Sequence, residues 1–246
     1  MTAYSILTVD DSRKALKDQI RVEMADAGIE EFPAKFFVDG RIPGAIDVQL
    51  ADHRLEVTGQ PFHNGELGIW FSALNTMKNF IFWGCEKDNE LIIFEDDAIV
   101  SMAFKSIFPL VMAEMPDDMD FFAWAIPADQ KVDYYYNRHF TPDGGWIIAS
   151  HIRHSYEQSP HHIPGKELVC KTYQGYQAVC IMYSRNGILK IIELLQRDGI
   201  HSPIDLFLFT EAFKGNLNGY TLLPDVYPMV TFEEKGTIAR NSGMYN

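Results

Sequence analysis

The chain has 246 residues, 47% hydrophobic and 13% aromatic, with a formal net charge of -13 at pH 7. That length and composition fit one α/β domain with a sizeable core and exclude a minimal module. The negative balance argues against broad electrostatic capture of nucleic acid, which needs a basic face, though it leaves room for a local basic groove. No apolar run approaches the ~20 residues needed to span a bilayer. The start, Met1 to Val9, enters a strand-like run ended by Asp10-Asp11, without a positive region or a small-residue cleavage site. The expectation is a soluble, cytoplasmic protein. Cys85, Cys170 and Cys180 are widely spaced and lack a zinc-type pair, which reads as buried thiols in a reducing compartment.

Tyr4 to Val9 reads as a first strand, and Leu16, Ile20, Met24 and Ala27 follow at near-helical spacing until Gly28 stops them. Lys35 to Val38 is the next expected strand, closed by the turn Asp39-Gly40. This β-α-β opening favours a mostly parallel sheet with right-handed crossovers. Arg41 to Asn64 is loop-like. Gly65-Glu66 then opens a strong helix with Leu67, Trp70, Phe71, Leu74, Met77 and Ile81 on one face, a stripe expected to pack in the core.

Leu91-Ile92-Ile93-Phe94 runs without interruption into Glu95-Asp96-Asp97. A short unalternating apolar run suits a strand covered on both faces, and in open α/β sheets ligands bind beyond the carboxyl ends of such strands. Adjacent carboxylates repel unless a cation neutralises them, and hard ions such as Mg²⁺ or Mn²⁺ take oxygen ligands of this kind. Glu95 and Asp97 could share one ion if the turn is tight. An acidic cluster that merely solubilises a turn remains the alternative. Ser101 is a candidate N-cap for a helix carrying Phe104, Ile107, Phe108, Val111 and Met112, and Asp120 to Ile126 reads as another strand.

From Pro127 to Lys171 the rhythm breaks. This segment holds His139, His151, His154, His161 and His162, and its five Lys/Arg balance its five Asp/Glu. So long an irregular stretch suggests a functional lid or insertion. His151 and His154 have a metal-capable spacing if helical, but solvated loop histidines are commoner. Tyr176 to Ser184 reads as a strand, with Ile188, Ile191, Ile192 and Leu195 as a helix face after it. Ser202-Pro203-Ile204-Asp205 carries a capping signal: Ser as N-cap, Pro at the first helical position and an acid three residues on. The tail beyond Tyr220, with Pro224, Pro228 and Gly236, reads as irregular chain lying over the sheet.

Taken together these blocks resemble glycosyltransferase family 25, the lipooligosaccharide and collagen sugar transferases with a GT-A fold. The resemblance lies in Asp11-Ser12-Arg13 after the first strand, Val38-Asp39-Gly40, Gly65-Glu66-Leu67-Gly68 with Ser72 and Leu74, Phe94-Glu95-Asp96-Asp97-Ala98, Tyr183-Ser184-Arg185-Asn186-Gly187 and Pro203-Ile204-Asp205. These discontinuous blocks cover about three quarters of the chain. Departures are Thr8, where the family usually has Asn, and Ala73, where it usually has His. Pro127 to Lys171 and the C-terminal tail have no counterpart.

The resemblance implies a metal-dependent transfer of a sugar from a nucleoside diphosphate-sugar to an acceptor hydroxyl, with inversion. It implies Mn²⁺ or Mg²⁺ on Asp97 and Glu95, and donor contacts from Thr8, Asp11, Arg13, Asp39, Gly40, Gly65, Glu66, Ser72 and Asp96. Asp205 is the matched catalytic base, although its place in the capping signal explains it structurally as well. The acceptor is open among a saccharide, a protein hydroxyl and a hydroxylated nucleic-acid base. A metal-dependent diphosphate or phosphate-ester hydrolase would use the same acids, and a non-catalytic nucleotide-sugar-binding module would keep the fold without turnover.

Overall fold

The computed structural model describes residues 1–8, 13–32, 64–84, 89–125, 163–172, 178–223 and 229–232. Strand β1 (Thr2–Leu7), helix α1 (Lys14–Asp26) and strand β2 (Glu30–Glu31) open the chain, and β2 pairs parallel to β1. The expected β-α-β opening is present, but the chain returns to β1 already at Glu30. The expected strand Lys35 to Val38 lies outside the described residues. Gly28, at φ 72°, turns the chain out of α1 in a conformation that costs a glycine little.

The remaining elements are α2 (Asn64–Trp83), β3 (Glu90–Glu95), β4 (Ala98–Val100), α3 (Phe104–Glu114), β5 (Phe121–Ala123), β6 (Val169–Lys171), β7 (Cys180–Ser184), α4 (Arg185–Asp198), α5 (Ile204–Phe213), β8 (Gly219–Leu222) and β9 (Val230–Phe232). Seven strands form one sheet in the order β2-β1-β3-β7-β5-β8-β6, while β4 and β9 make a separate antiparallel pair. Five of the seven, β1, β2, β3, β5 and β8, run one way, and β7 and β6 oppose them. The architecture is thus the α/β class expected, a mostly parallel sheet flanked by helices.

Successive strand residues face opposite sides, so one sheet makes two cores. On one side Ala3, Leu7, Leu91 and Ile93 pack with Trp70 and Met77 of α2, Ile188 and Ile191 of α4, and Phe207 and Leu208 of α5. On the other, Tyr4, Ile6, Ile92 and Phe94 pack with Ile20 and Met24 of α1 and Phe104 and Phe108 of α3. The α2 stripe is therefore core, as expected, and Trp70 lies edge-on to Phe207 while its Nε1 donates to the Ser202 carbonyl at 2.7 Å.

Three expectations are corrected. Ser101 is not the cap of α3: the helix starts at Phe104 after Ala103, and Ser101 Oγ instead accepts from the Ala103 amide at 3.2 Å. Residues 219–222 and 230–232 are strands rather than irregular chain, β8 extending the main sheet and β9 pairing with β4. Runs of three or four residues are too short for periodicity to reveal. The last residues of the Pro127 to Lys171 segment are likewise a strand, β6, on the edge beside β8, while 126–162 lie outside the described residues.

Tyr183-Ser184-Arg185-Asn186-Gly187 forms a joint of the scaffold. Ser184 Oγ caps α4 by accepting from the Gly187 amide at 2.9 Å, and Arg185 donates to the Ile81 carbonyl at 2.6 Å and, through its amide, to Asn89 O at 2.8 Å. Ser184 is in register with Glu90, the first residue of β3, so the joint lies at the sheet edge away from the acidic turn. A Cβ on Gly187 would stand 2.0 Å from the Asp120 carbonyl oxygen. Gly187→Ala, which in an open helix would stabilise, is therefore expected to cost about 1–3 kcal/mol or more by overpacking. Denaturant unfolding of the variant measures this, and an unchanged midpoint would contradict the close packing.

Candidate active site

Glu95, the last residue of β3, is in register with Leu7 at the end of β1, and its amide donates to Val179 O at 2.9 Å. Three residues later the chain is already in β4, in the other sheet. Asp96 and Asp97 are thus a two-residue turn clamped between two sheets. Gln19 of α1 tightens the far side by donating to Val100 O at 2.9 Å. The turn sits at the shared carboxyl end of the parallel pair β1 and β3, the edge where open α/β sheets receive ligands.

The three acids are distributed between two walls. Glu95 continues the alternation of Leu91 and Ile93, which face α2, α4 and α5. Asp96 and Asp97 meet α1, where Arg13 Nη1 reaches Asp96 Oδ1 at 2.5 Å and Asp97 Oδ2 at 3.8 Å. The side chains of Arg13, Asp96 and Asp97 are 9, 12 and 11% exposed, so this ion pair is sheltered from water. One turn along α1, Lys17 is only 4% exposed and its Nζ donates to Thr8 Oγ1 at 3.2 Å. Periodicity missed Lys17, because a cation on an apolar helix face carries no hydrophobic signal. The usable sign was its spacing of one helical turn from Arg13.

On the other wall, Asp205 occupies the first turn of α5. The helix begins one residue later than the capping signal indicates: Pro203 is the N-cap, no side chain caps the helix, and buried Ser202 Oγ has no hydrogen-bond partner among the described residues. Asp205 Oδ1 accepts from the neighbouring Leu206 amide at 2.7 Å. Its charge is felt by Glu95, whose carboxyl is pushed up from 4.5 to about 8 by burial first and then by Asp97, Asp205 and Asp96, against the opposing pull of Arg13. Burial first, then Cys180, Glu95 and Asp205, raises the Tyr183 phenol far above its ordinary range, so it stays neutral.

The other expected residues divide in two groups. Gly65 and Glu66 open α2, whose far end meets Arg185 at the opposite edge. Ser72 is fully buried within α2, its hydroxyl donating to Gly68 O at 2.6 Å. Asp11, Asp39 and Gly40, together with Cys85 and the histidines of the 127–171 segment, lie outside the described residues.

Among the described residues no group of three or more His, Cys, Asp or Glu side chains is gathered to hold a metal ion. A hard divalent cation at a nucleotide is commonly held by one or two carboxylates plus phosphate oxygens and water, and the Asp97 and Glu95 carboxyl groups suit that donor set. Burial is the main cause of the upward push on Glu95, and the neighbouring negative charges add a part that such an ion would relieve.

Glu95 also sets a pH dependence. A carboxyl raised from 4.5 to about 8 on folding is neutral in both states at low pH, so its contribution to stability is fully present below 4.5 and lost as pH rises through about 8. In chelator, the wild type is expected to melt lower at pH 9 than at pH 6, and Glu95→Gln to flatten that fall. Parallel melting profiles of the two proteins would assign the effect elsewhere.

No protein-family model matches the chain, and no curated protein matches it. Glycosyltransferases are among the solved structures that resemble it. One is a galactosyltransferase, LgtC, in complex with donor and acceptor sugar analogues: TM-score 0.35, 14% identity, covering 80% of this chain. This chain spans 65% of the length of that protein. Another is mouse xyloside xylosyltransferase 1 in its apo form, with a TM-score of 0.41 and 8% identity over 95% of this chain and 98% of that one. Both are named as glycosyltransferases. Likenesses of this size carry no argument about the present chain, whose α/β architecture rests on its own strand pairings.

Proposed function

We propose that this protein is a metal-dependent glycosyltransferase of GT-A type, similar to family 25, that moves a sugar from a nucleoside diphosphate-sugar to an acceptor hydroxyl with inversion. The supporting observation is the sheltered turn Glu95-Asp96-Asp97 at the carboxyl edge of β1 and β3, with Asp205 close enough across the edge for its charge to reach Glu95. Asp97, with Glu95, would hold Mn²⁺ or Mg²⁺. When bound, the ion supplies charge neutralisation for the departing nucleoside diphosphate, which gains negative charge as the glycosidic bond breaks.

The chain's own groups account for the remaining tasks. Arg13 and Lys17 place two cations on the α1 wall, where a diphosphate needs them. Gly65 and Glu66, the first turn of α2, would add donor contacts. Asp205, oriented by the Leu206 amide, is the carboxylate that takes the proton of the acceptor hydroxyl as it attacks. Acceptor recognition falls to the segment from Pro127 to Lys171, a length and composition typical of recognition loops. Saccharide, protein hydroxyl and hydroxylated nucleic-acid base are the acceptor classes to offer.

A panel of sugar nucleotides, followed by thermal shift and product analysis in Mn²⁺ and in chelator, tests the reading. Donor binding is expected only with the divalent ion, and equal affinity in chelator would overturn it. Sugar released to water at the same rate with every acceptor would identify a hydrolase instead. Asp97→Asn is expected to keep the fold while metal-dependent turnover nearly vanishes. Asp205→Asn is expected to lose on the order of a hundredfold or more in rate with donor affinity kept. If Asp205→Asn changes only the melting temperature, by the roughly 0.3–1 kcal/mol of an acid at a helix N-terminus, the base lies elsewhere.

A further inference from the structure

Arg13 holds the very carboxylates on which the proposed function depends. Its guanidinium touches Asp96 at 2.5 Å and stands 3.8 Å from Asp97, with all three side chains about nine-tenths buried. A guanidinium is a permanent cation with a planar fork of donors that matches carboxylates and phosphates. A divalent ion on Asp97 would come within a few ångströms of it, in surroundings that weaken repulsion far less than bulk water does. The two cations repel each other across the same carboxylate. Lys17 is differently placed: its Nζ is engaged by Thr8 at the end of β1, so it can remain as the fixed cation of the wall.

We infer that Arg13 is a built-in counter-ion of the acidic turn that competes with the divalent cation for Asp96 and Asp97, so that metal alone binds weakly and binds well only when Arg13 has another anion to take. This deepens the proposed function and rests on its metal site. It makes Arg13 a positioning residue: a guanidinium released from the turn is the group best shaped for two diphosphate oxygens, which couples metal entry to donor entry. The coupling keeps the turn neutralised at every stage, by arginine before the donor arrives and by the ion afterwards.

The test needs no turnover. Mn²⁺ alone is titrated calorimetrically into wild type, Arg13→Gln and Arg13→Lys, each with and without Asp97→Asn, and melting temperatures are taken in chelator and in Mn²⁺. Arg13→Gln is expected to bind Mn²⁺ at least about tenfold more tightly than wild type, to melt lower in chelator, and to gain more melting temperature from Mn²⁺. Arg13→Lys, whose single ammonium cannot span both carboxylates, is expected to fall between them and serves if Arg13→Gln does not fold. Asp97→Asn is expected to abolish the binding in every background. Equal or weaker Mn²⁺ affinity in the Arg13 variants, with Asp97→Asn still abolishing it, overturns the competition and leaves the metal site standing. No Asp97-dependent Mn²⁺ binding in any variant overturns both.

Discussion

Like charges forced together out of water are the constraint on which this molecule turns. The strand register that carries Leu91 to Phe94 into the middle of the sheet leaves Glu95 at its carboxyl edge, and a two-residue turn then has to deliver the chain into a second sheet. Asp96 and Asp97 occupy that turn, and Asp205 approaches from the other wall. Nothing in the packing of hydrophobic residues asks for three adjacent acids here, and sheltering them from water is costly unless a counter-charge is supplied. The guanidinium of Arg13 and the protonation of Glu95 are the means by which the unliganded chain tolerates the arrangement.

The scaffold around it is divided by purpose. At the edge of β3 that bears Glu90, side chains meet as structural joints: Ser184 caps α4, Arg185 closes α2, and Gly187 lies against the Asp120 backbone, whose carboxylate is in turn satisfied by Lys190 and the Asn218 amide at 2.8 Å each. At the edge that bears Glu95, by contrast, charges gather on both walls. A chain with hydrogen-bonded corners on one edge can keep a costly cluster of like charges on the other.

Much of this was legible in the sequence, and the exceptions have physical causes. The α2 stripe ending in Met77 and Ile81 and the run Leu91 to Phe94 are long enough for periodicity and burial to agree, so both elements follow from pattern alone. β9 did not, because three residues cannot display an alternation and their partner is fixed by the fold instead of by neighbours. The start of α5 was misplaced by one residue: Ser202 and Pro203 suit the capping pattern, but the Ser202 carbonyl is engaged by Trp70 and the helix begins only at Ile204. Lys17 escaped because a buried lysine on a helix face looks, in letters, like an interruption of that face. Its value comes from Thr8, a contact across the strand-helix crossover that no local window contains.

The pairing of β4 with β9 has a consequence for how the molecule comes into being. Ala98 to Val100 follow the acidic turn at once, whereas their partner Val230 to Phe232 is delivered by the ribosome only much later in the chain. The main sheet can assemble β1, β2 and β3 while the chain is still growing, yet the far side of the turn has no strand to lean on until synthesis has passed Phe232. Such a long-range closure is a slow event in folding. The scaffold is thus positioned to mature before the far side of the acidic turn is clamped, so the most electrostatically costly part of the structure is fixed late, onto a core already able to bear it.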